Sequence, residues 1–172
     1  MSSVSGPDEL YLQTARAFGP ALQRLAQATE ANVERRRDLL QDMHVALWRS
    51  FATFDGRCSL KTWVYRVAHN TAASHVDRER RRSSGAVSLD AAGDVPAPQS
   101  LAAELEQSDA LARVMAWIRR LKSPDRQVMT LYLEELDAAA IAEITGLTPG
   151  AVATRISRLK AQLTKDFQGG RP

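Results

Sequence analysis

Proline occurs at positions 7, 20, 96, 98, 124, 149 and 172, and nowhere between 21 and 95. Proline removes a backbone donor and clashes with the preceding turn, so its absence from so long a stretch removes the commonest helix breaker. That stretch is rich in Ala, Leu, Arg and Gln, and clear two-residue alternation of apolar and polar side chains is absent. The expectation is an all-α chain with almost no strand. At 172 residues it suits one domain or two small ones, and 44% apolar with 25% charged residues excludes wholesale disorder. A single cysteine, Cys58, excludes a disulfide framework or a Cys-rich zinc module. No apolar run approaches the roughly 18 residues of a membrane span, and the N-terminus has neither the basic start nor the apolar core of a secretory signal. A reduced, cytoplasmic protein without membrane insertion is expected.

The pattern divides the chain into a first helical domain over 8–82, a flexible linker over 83–103 and a second helical domain over 104–168. In the first, 8–18 reads as one helix, broken or restarted at Gly19-Pro20. Residues 33–51 carry Leu40, Met43, Leu47 and Phe51 at helical spacing, and Phe54-Asp55-Gly56 supplies turn chemistry. Ser59 then caps the most regular helix, over 59–82. Leu60, Trp63, Val64, Val67, Ala68, Thr71, Ala72, His75 and Val76 form its apolar stripe. Its other face presents Lys61, Tyr65, Arg66, His69, Asn70 and Asp77, with Trp63 open to either role. The linker assignment rests on Ser, Gly, Pro and Ala without periodicity. In the second domain Leu111, Val114, Met115, Ile118 and Leu121 are expected to face inward. Ser123 is expected to cap a helix opened by Pro124 and running to about Glu135.

Charge is distributed unevenly. Residues 59–82 hold Lys61, Arg66, Arg78, Arg80, Arg81 and Arg82 against Asp77 and Glu79, and residues 148–165 hold Arg155, Arg158, Lys160 and Lys165 with no acid. Between them, 83–112 hold five acids and no base. Two basic segments of this kind suit a polyanion. The second coincides with helix-turn-helix spacing from Ile141 to Ile156: small Ala142 where helices cross, Gly146 for the turn, and Ile141, Leu147, Val152 and Ile156 as plugs. Thr148 and Pro149 open the last helix, whose outward face is expected to carry Ala151, Thr154, Arg155, Arg158, Gln162 and Lys165. Arginine there can read guanine or grip phosphate. On the 59–82 helix, Tyr65, His69 and Asn70 among bases offer stacking and amide chemistry toward unpaired nucleotides.

Catalysis finds little support. There is no Gly-rich phosphate loop, no nucleophile elbow and no evident carboxylate pair, and Cys58, His69 and His75 fit no common zinc spacing. Neither enzymatic activity, a cofactor nor a metal is expected. A helix-turn-helix regulator acting on duplex DNA alone, or an adaptor whose basic helices meet acidic proteins, would share some of these features.

Two motifs in chain order decide among these readings. The segment Arg37-Asp38-Leu39-Leu40-Gln41-Asp42-Met43 through Trp48, then Phe54-Asp55-Gly56 and Ser59 through Asn70, resembles the N-terminal domain of bacterial RNA polymerase sigma factors of the extracytoplasmic-function (ECF) type. Residues 121–163 resemble the family's C-terminal domain. The resemblance implies that Asp38, Leu39, Gln41 and Asp42 dock on core RNA polymerase. It implies that Lys61, Trp63, Tyr65, Arg66, His69, Asn70, Arg78, Arg80 and Arg81 act on the −10 element, and Thr148, Ala151, Thr154, Arg155, Arg158 and Lys160 on the −35 element. It also implies an anti-sigma factor as partner. Departures from the family's common residues at Ser74, Ala151 and Ala153 bear on promoter sequence, not on class.

Overall fold

The computed structural model describes residues 6–85 and 102–169, the latter with side chains from Asp109 onward. Every regular element among them is helical. The middle of the expected linker, 86–101, lies outside the described residues; Ser83 to Gly85 still belong to a helix.

Helix α1 (Pro7–Thr29) begins with proline at its first position and Asp8 and Glu9 in its first turn, where they complement the helix dipole. The expected break at Gly19-Pro20 does not occur: Pro20 lies inside a continuous helix. Gly19 has no Cβ to clash with the proline ring. Burial of Ala21, Leu22, Leu25 and Ala26 beyond it offsets the lost backbone bond. Helix α2 (Val33–Ser50) is capped by Asn32, whose side chain accepts from the Arg35 amide at 3.0 Å. A 3-10 turn (Phe51–Thr53) follows, and Gly56 takes φ +74°, which only glycine adopts without strain. Helix α3 (Leu60–Gly85) opens at Ser59, whose Oγ accepts from the Thr62 amide at 3.1 Å. These helices close on Leu22, Leu25, Leu39, Met43, Leu47, Phe51, Val64 and Ala68.

In the second half, α4 (Ala102–Arg120) buries Met115 and Ile118 as expected, but Leu111 is 46% exposed. Trp117 takes the inward position instead, its Nε1 donating to Asp166 at 2.9 Å. The Ser123 cap is not formed: Pro124 occupies the cap position and α5 spans Asp125–Leu133, two residues short of the expected end. The Arg126 guanidinium donates to the Arg119 and Leu121 carbonyls and so satisfies the end of α4. Helix α6 (Ala138–Thr145) ends at Gly146 with φ +78°, and α7 (Pro149–Gln168) starts from Thr148, whose Oγ1 accepts from the Ala151 amide. Ile141, Ala142, Ile144 and Val152 fill the angle between α6 and α7.

The two halves share their cores. Ala21 of α1 and Tyr65 of α3 belong to the cluster built on Val128, Leu131, Leu136 and Ile141, and Ala28 of α1 belongs to the one built on Met115, Trp117, Ile118 and Leu159.

Candidate nucleic-acid interface

The α2 surface comes first in chain order. Asp38, Gln41 and Asp42 are exposed on one face, one helical turn apart. Leu39 is not among them. It is fully buried in the first core, because its phase matches Met43 and Leu47 rather than the acids. Asp42 accepts from Arg78 of α3 at 3.2 Å, which joins the acidic α2 face to the basic end of α3.

The α3 face departs most from expectation. Lys61, Asn70, Arg78, Arg80 and Arg81 are exposed and Trp63 and Arg66 are half-buried. Trp63 leans on Phe54, with ring centroids 5.2 Å apart, and donates to Ser50 Oγ. Tyr65 and His69, placed by helical phase on the free side, are buried. The second domain covers them. Tyr65 packs edge-on against Phe18, and its hydroxyl lies 3.5 Å from the Glu134 carboxylate. Burial, reinforced by that carboxylate, pushes the Tyr65 phenol up to about 12. Burial pushes His69 down to about 3, so its ring is neutral at physiological pH. His75, weighed above as a metal ligand, donates through Nε2 to Glu30 at 3.0 Å. Burial raises Glu30, but the bonds from His75 and the Asn32 amide outweigh it and hold the acid below its ordinary range.

Around this buried patch the contacts between halves are polar. Arg24 of α1 donates twice to Glu134, at 2.7 and 2.8 Å. Arg66 donates to the Glu143 carbonyl at 3.1 Å, and Arg119 donates to the Gln27 carbonyl at 2.7 Å. A cavity of about 160 Å³ lies along the same seam, lined by His69, Ala73 and Arg80 from α3 and by Ser123, Arg126 and Gln127 opposite. Burial, with Arg80 nearby, lowers the Arg126 guanidinium from its ordinary range.

The α7 face remains open. Thr148, Thr154, Arg158 and Lys160 are exposed, and Ala151 is half-buried. Arg155 and Arg158 both turn back to one carboxylate, Asp125 of α5, at 2.6 and 2.7 Å. Arg155 is the more enclosed, with 31% of its side chain accessible against 57% for Arg158. Lys160 lies over the Tyr132 ring at 5.8 Å. Opposite the buried Val152 and Leu159, the outward centre of the helix is therefore Gly150, Ala153, Thr154, Ser157 and Ala161, all exposed. Gly150 and Ser157, not expected on this face from the sequence, lie at its exposed centre.

These features define a class: two helical domains, the second a capped helix-turn-helix whose outer helix carries no acid before Asp166, form a DNA-binding protein. Comparison with known proteins narrows it. Residues 14–82 match the family described as Sigma-70 region 2, and residues 111–163 match Sigma-70, region 4. The ECF RNA polymerase sigma factor SigW of Bacillus subtilis is 25% identical over 95% of this chain and 91% of its own length. The ECF RNA polymerase sigma-E factor of Haemophilus influenzae is 29% identical, over 76% of this chain and 74% of its own. The probable RNA polymerase sigma factor RfaY of Xanthomonas campestris pv. campestris is 23% identical over 96% of this chain, which spans 42% of that longer protein. In fold, the chain resembles CnrH, solved in complex with the cytosolic domain of CnrY, with a TM-score of 0.67 and 23% identity over 94% of this chain and 89% of that one. The chain belongs to the RNA polymerase sigma factors, in their ECF branch, a family that directs promoter-specific transcription.

Proposed function

We propose that the protein binds core RNA polymerase through the α2 acids, reads a −35 element with α7, and captures the opened −10 region with α3. It acts by binding, not by catalysis, and works in the cytoplasm; no helix among the described residues is long and apolar enough to cross a membrane. The observation that carries this reading is the order of the two matched regions. The α2 acids and the α3 bases come from one, the helix-turn-helix from the other, with the 86–101 segment between them. A duplex-only regulator would need the second region alone.

The chemistry follows from the faces. Asp38, Gln41 and Asp42 offer carboxylates and an amide on one ridge for a basic surface of the polymerase. The α7 N-terminus, with the Gly150 amide beside the Thr148 cap, attracts a backbone phosphate and aims Thr154 and Ser157 at base edges. On α3, Lys61, Arg78, Arg80 and Arg81 supply cationic contacts, while Trp63, Tyr65, His69 and Asn70 supply planar and amide groups for unpaired bases. Stacking worth roughly 1–3 kcal/mol per base offsets the few kcal/mol per step that unpairing costs. A dedicated inhibitory protein, an anti-sigma factor, is part of this reading, supported by the CnrY segment bound to CnrH.

Run-off transcription with purified core polymerase on a library of two-part promoters tests the reading. Template-specific transcripts that depend on the protein are expected. Transcription indistinguishable from core alone on every template would overturn it. Charge reversal of Asp38 and Asp42 together should weaken binding to core without changing helical circular dichroism; unchanged binding would remove those residues from the docking site.

A further inference from the structure

The cavity between α1, α3 and α5 has the shape and chemistry of a small binding site. Its lining follows about three turns of α3, from His69 to Arg80, or about 16 Å at the ~1.5 Å rise of a helix, so it is a slot more than a sphere. Ala72 contributes little bulk to its middle, and Leu25 and Val76 make that middle apolar. At about 160 Å³ it is close to the roughly 150 Å³ of an apolar cavity that holds one benzene ring.

Its ends are polar. At one end His69 is 5% exposed, lines the cavity and has no hydrogen-bond partner among the described residues. The side-chain atom sealed away without a partner among those residues is Thr14 Oγ1, so the His69 nitrogens open on the cavity. Burial keeps the ring neutral, which leaves it one donor and one acceptor. A buried polar ring of this kind is stabilised by whatever bonds to it from the cavity. At the other end stand Arg80, exposed, and Arg126, half-buried. Arg126 commits Nε and Nη2 to the Arg119 and Leu121 carbonyls, and Nη1 has no partner among the described residues. Burial and the Arg80 charge both act against the Arg126 cation, so an anion between the two guanidiniums would relieve them. Two guanidiniums against one carboxylate, Asp77, leave a single positive charge for a ligand to match.

We propose that this cavity is a binding site for a small aromatic carboxylate bearing a hydroxyl opposite its acid group. The acid pairs with Arg80 and Arg126, the ring lies against Leu25, Ala72 and Val76, and the hydroxyl bonds to His69. A rigid ring suits the slot because it holds its two polar ends at a fixed separation and loses little freedom on binding. A nucleotide is too large for the volume, and a dianion would exceed the charge on offer. The site stands apart from the promoter reading and needs neither DNA nor polymerase.

Titration of 4-hydroxybenzoate into the isotope-labelled full chain should give saturable amide shifts at Ala73 and Gln127, with a Kd of roughly 1 mM for a ligand of this size. Benzoate, which lacks the hydroxyl, and phenol, which lacks the acid, should each bind about tenfold more weakly. Arg80→Gln should weaken 4-hydroxybenzoate about tenfold and leave phenol unchanged. His69→Phe keeps the bulk of a ring without its nitrogens, and should erase the advantage of 4-hydroxybenzoate over benzoate. Shifts that do not saturate, equal affinity for the three probes, or an Arg80→Gln effect as large on phenol as on 4-hydroxybenzoate would overturn the site. So would saturable shifts centred on the exposed bases of α7, since the cavity would then hold solvent alone.

Discussion

Helices α3 and α7 each carry a polar face opposite an apolar stripe, and by sequence both faces are equally available to DNA. In the folded chain they differ. The α7 face looks outward along Gly150, Thr154, Ser157 and Ala161, while the α3 face is covered at Tyr65 and His69. The difference lies in what stands opposite. Helix α7 packs within its own domain against α5 and α6, whereas α3 meets α6 of the other domain. An amphipathic pattern tells which side of a helix is buried locally; it does not tell whether a second body covers the other side.

The largest expected effect distinguishes the two faces by stability. Tyr65→Ala should cost about 3 kcal/mol in urea unfolding, because it empties a site between Phe18 and the second core. Thr154→Ala, outward on α7, should stay within about 0.5 kcal/mol. Equal costs would erase the contrast.

Acid gives a second contrast. A histidine held near 3 when folded takes up its proton on unfolding at about 6.5, so the unfolded chain binds more protons between those values and stability falls as pH drops below 6.5. The loss should approach 1.4 kcal/mol per pH unit, and His69→Gln should flatten it. Asp77, Arg80 and Arg126 share the cavity with His69. Burial lowers His44 as well, adding a slope of the same sign that the variant retains. Glu30, lowered when folded, loses its contribution only below about 4.5. Urea titrations at half-unit intervals from pH 5 to 7 on parent and variant would measure the difference, and parallel slopes would place His69 in solvent.

On α7 the sharpest question concerns Asp125. Neutralising it in Asp125→Asn frees Arg155 and Arg158 for phosphate, so affinity for any duplex should rise several-fold at low salt and the salt dependence should steepen by about one ion. Loss of both affinity and specificity would show instead that the pair orients α7. The smallest effect separates the arginines themselves. With Arg155 more enclosed, Arg155→Ala should lower all sequences alike, and Arg158→Ala should change the preference at one base pair. The reverse would make Arg155 the base-reading residue and Arg158 the phosphate contact.

Much of this was legible in the chain. Gly146 and the Thr148 cap, Asn32 aside, announced their turns and starts, because such signals act within four residues. The spacing of Ile141, Ala142 and Val152 located the helix-turn-helix because those side chains meet only if α6 and α7 cross as they do. Pro20 misled, since a local penalty was outweighed by burial of residues beyond it. Leu39 misled in the opposite sense, being a core residue within an otherwise exposed acidic motif.

By itself, then, the sequence determined the helices, the helix-turn-helix and the class of partner, all of which depend on short-range backbone preference, periodicity and charge. Only the tertiary structure decided which of the two polar faces is open. The pairing of Arg24 with Glu134 joins residues 110 positions apart, and that of Arg66 with Glu143 joins residues 77 apart. Nothing local to either partner encodes such a choice: it depends on how two finished domains fit together, where partly solvated polar contacts compete with water and with any other anion offered to the same donors.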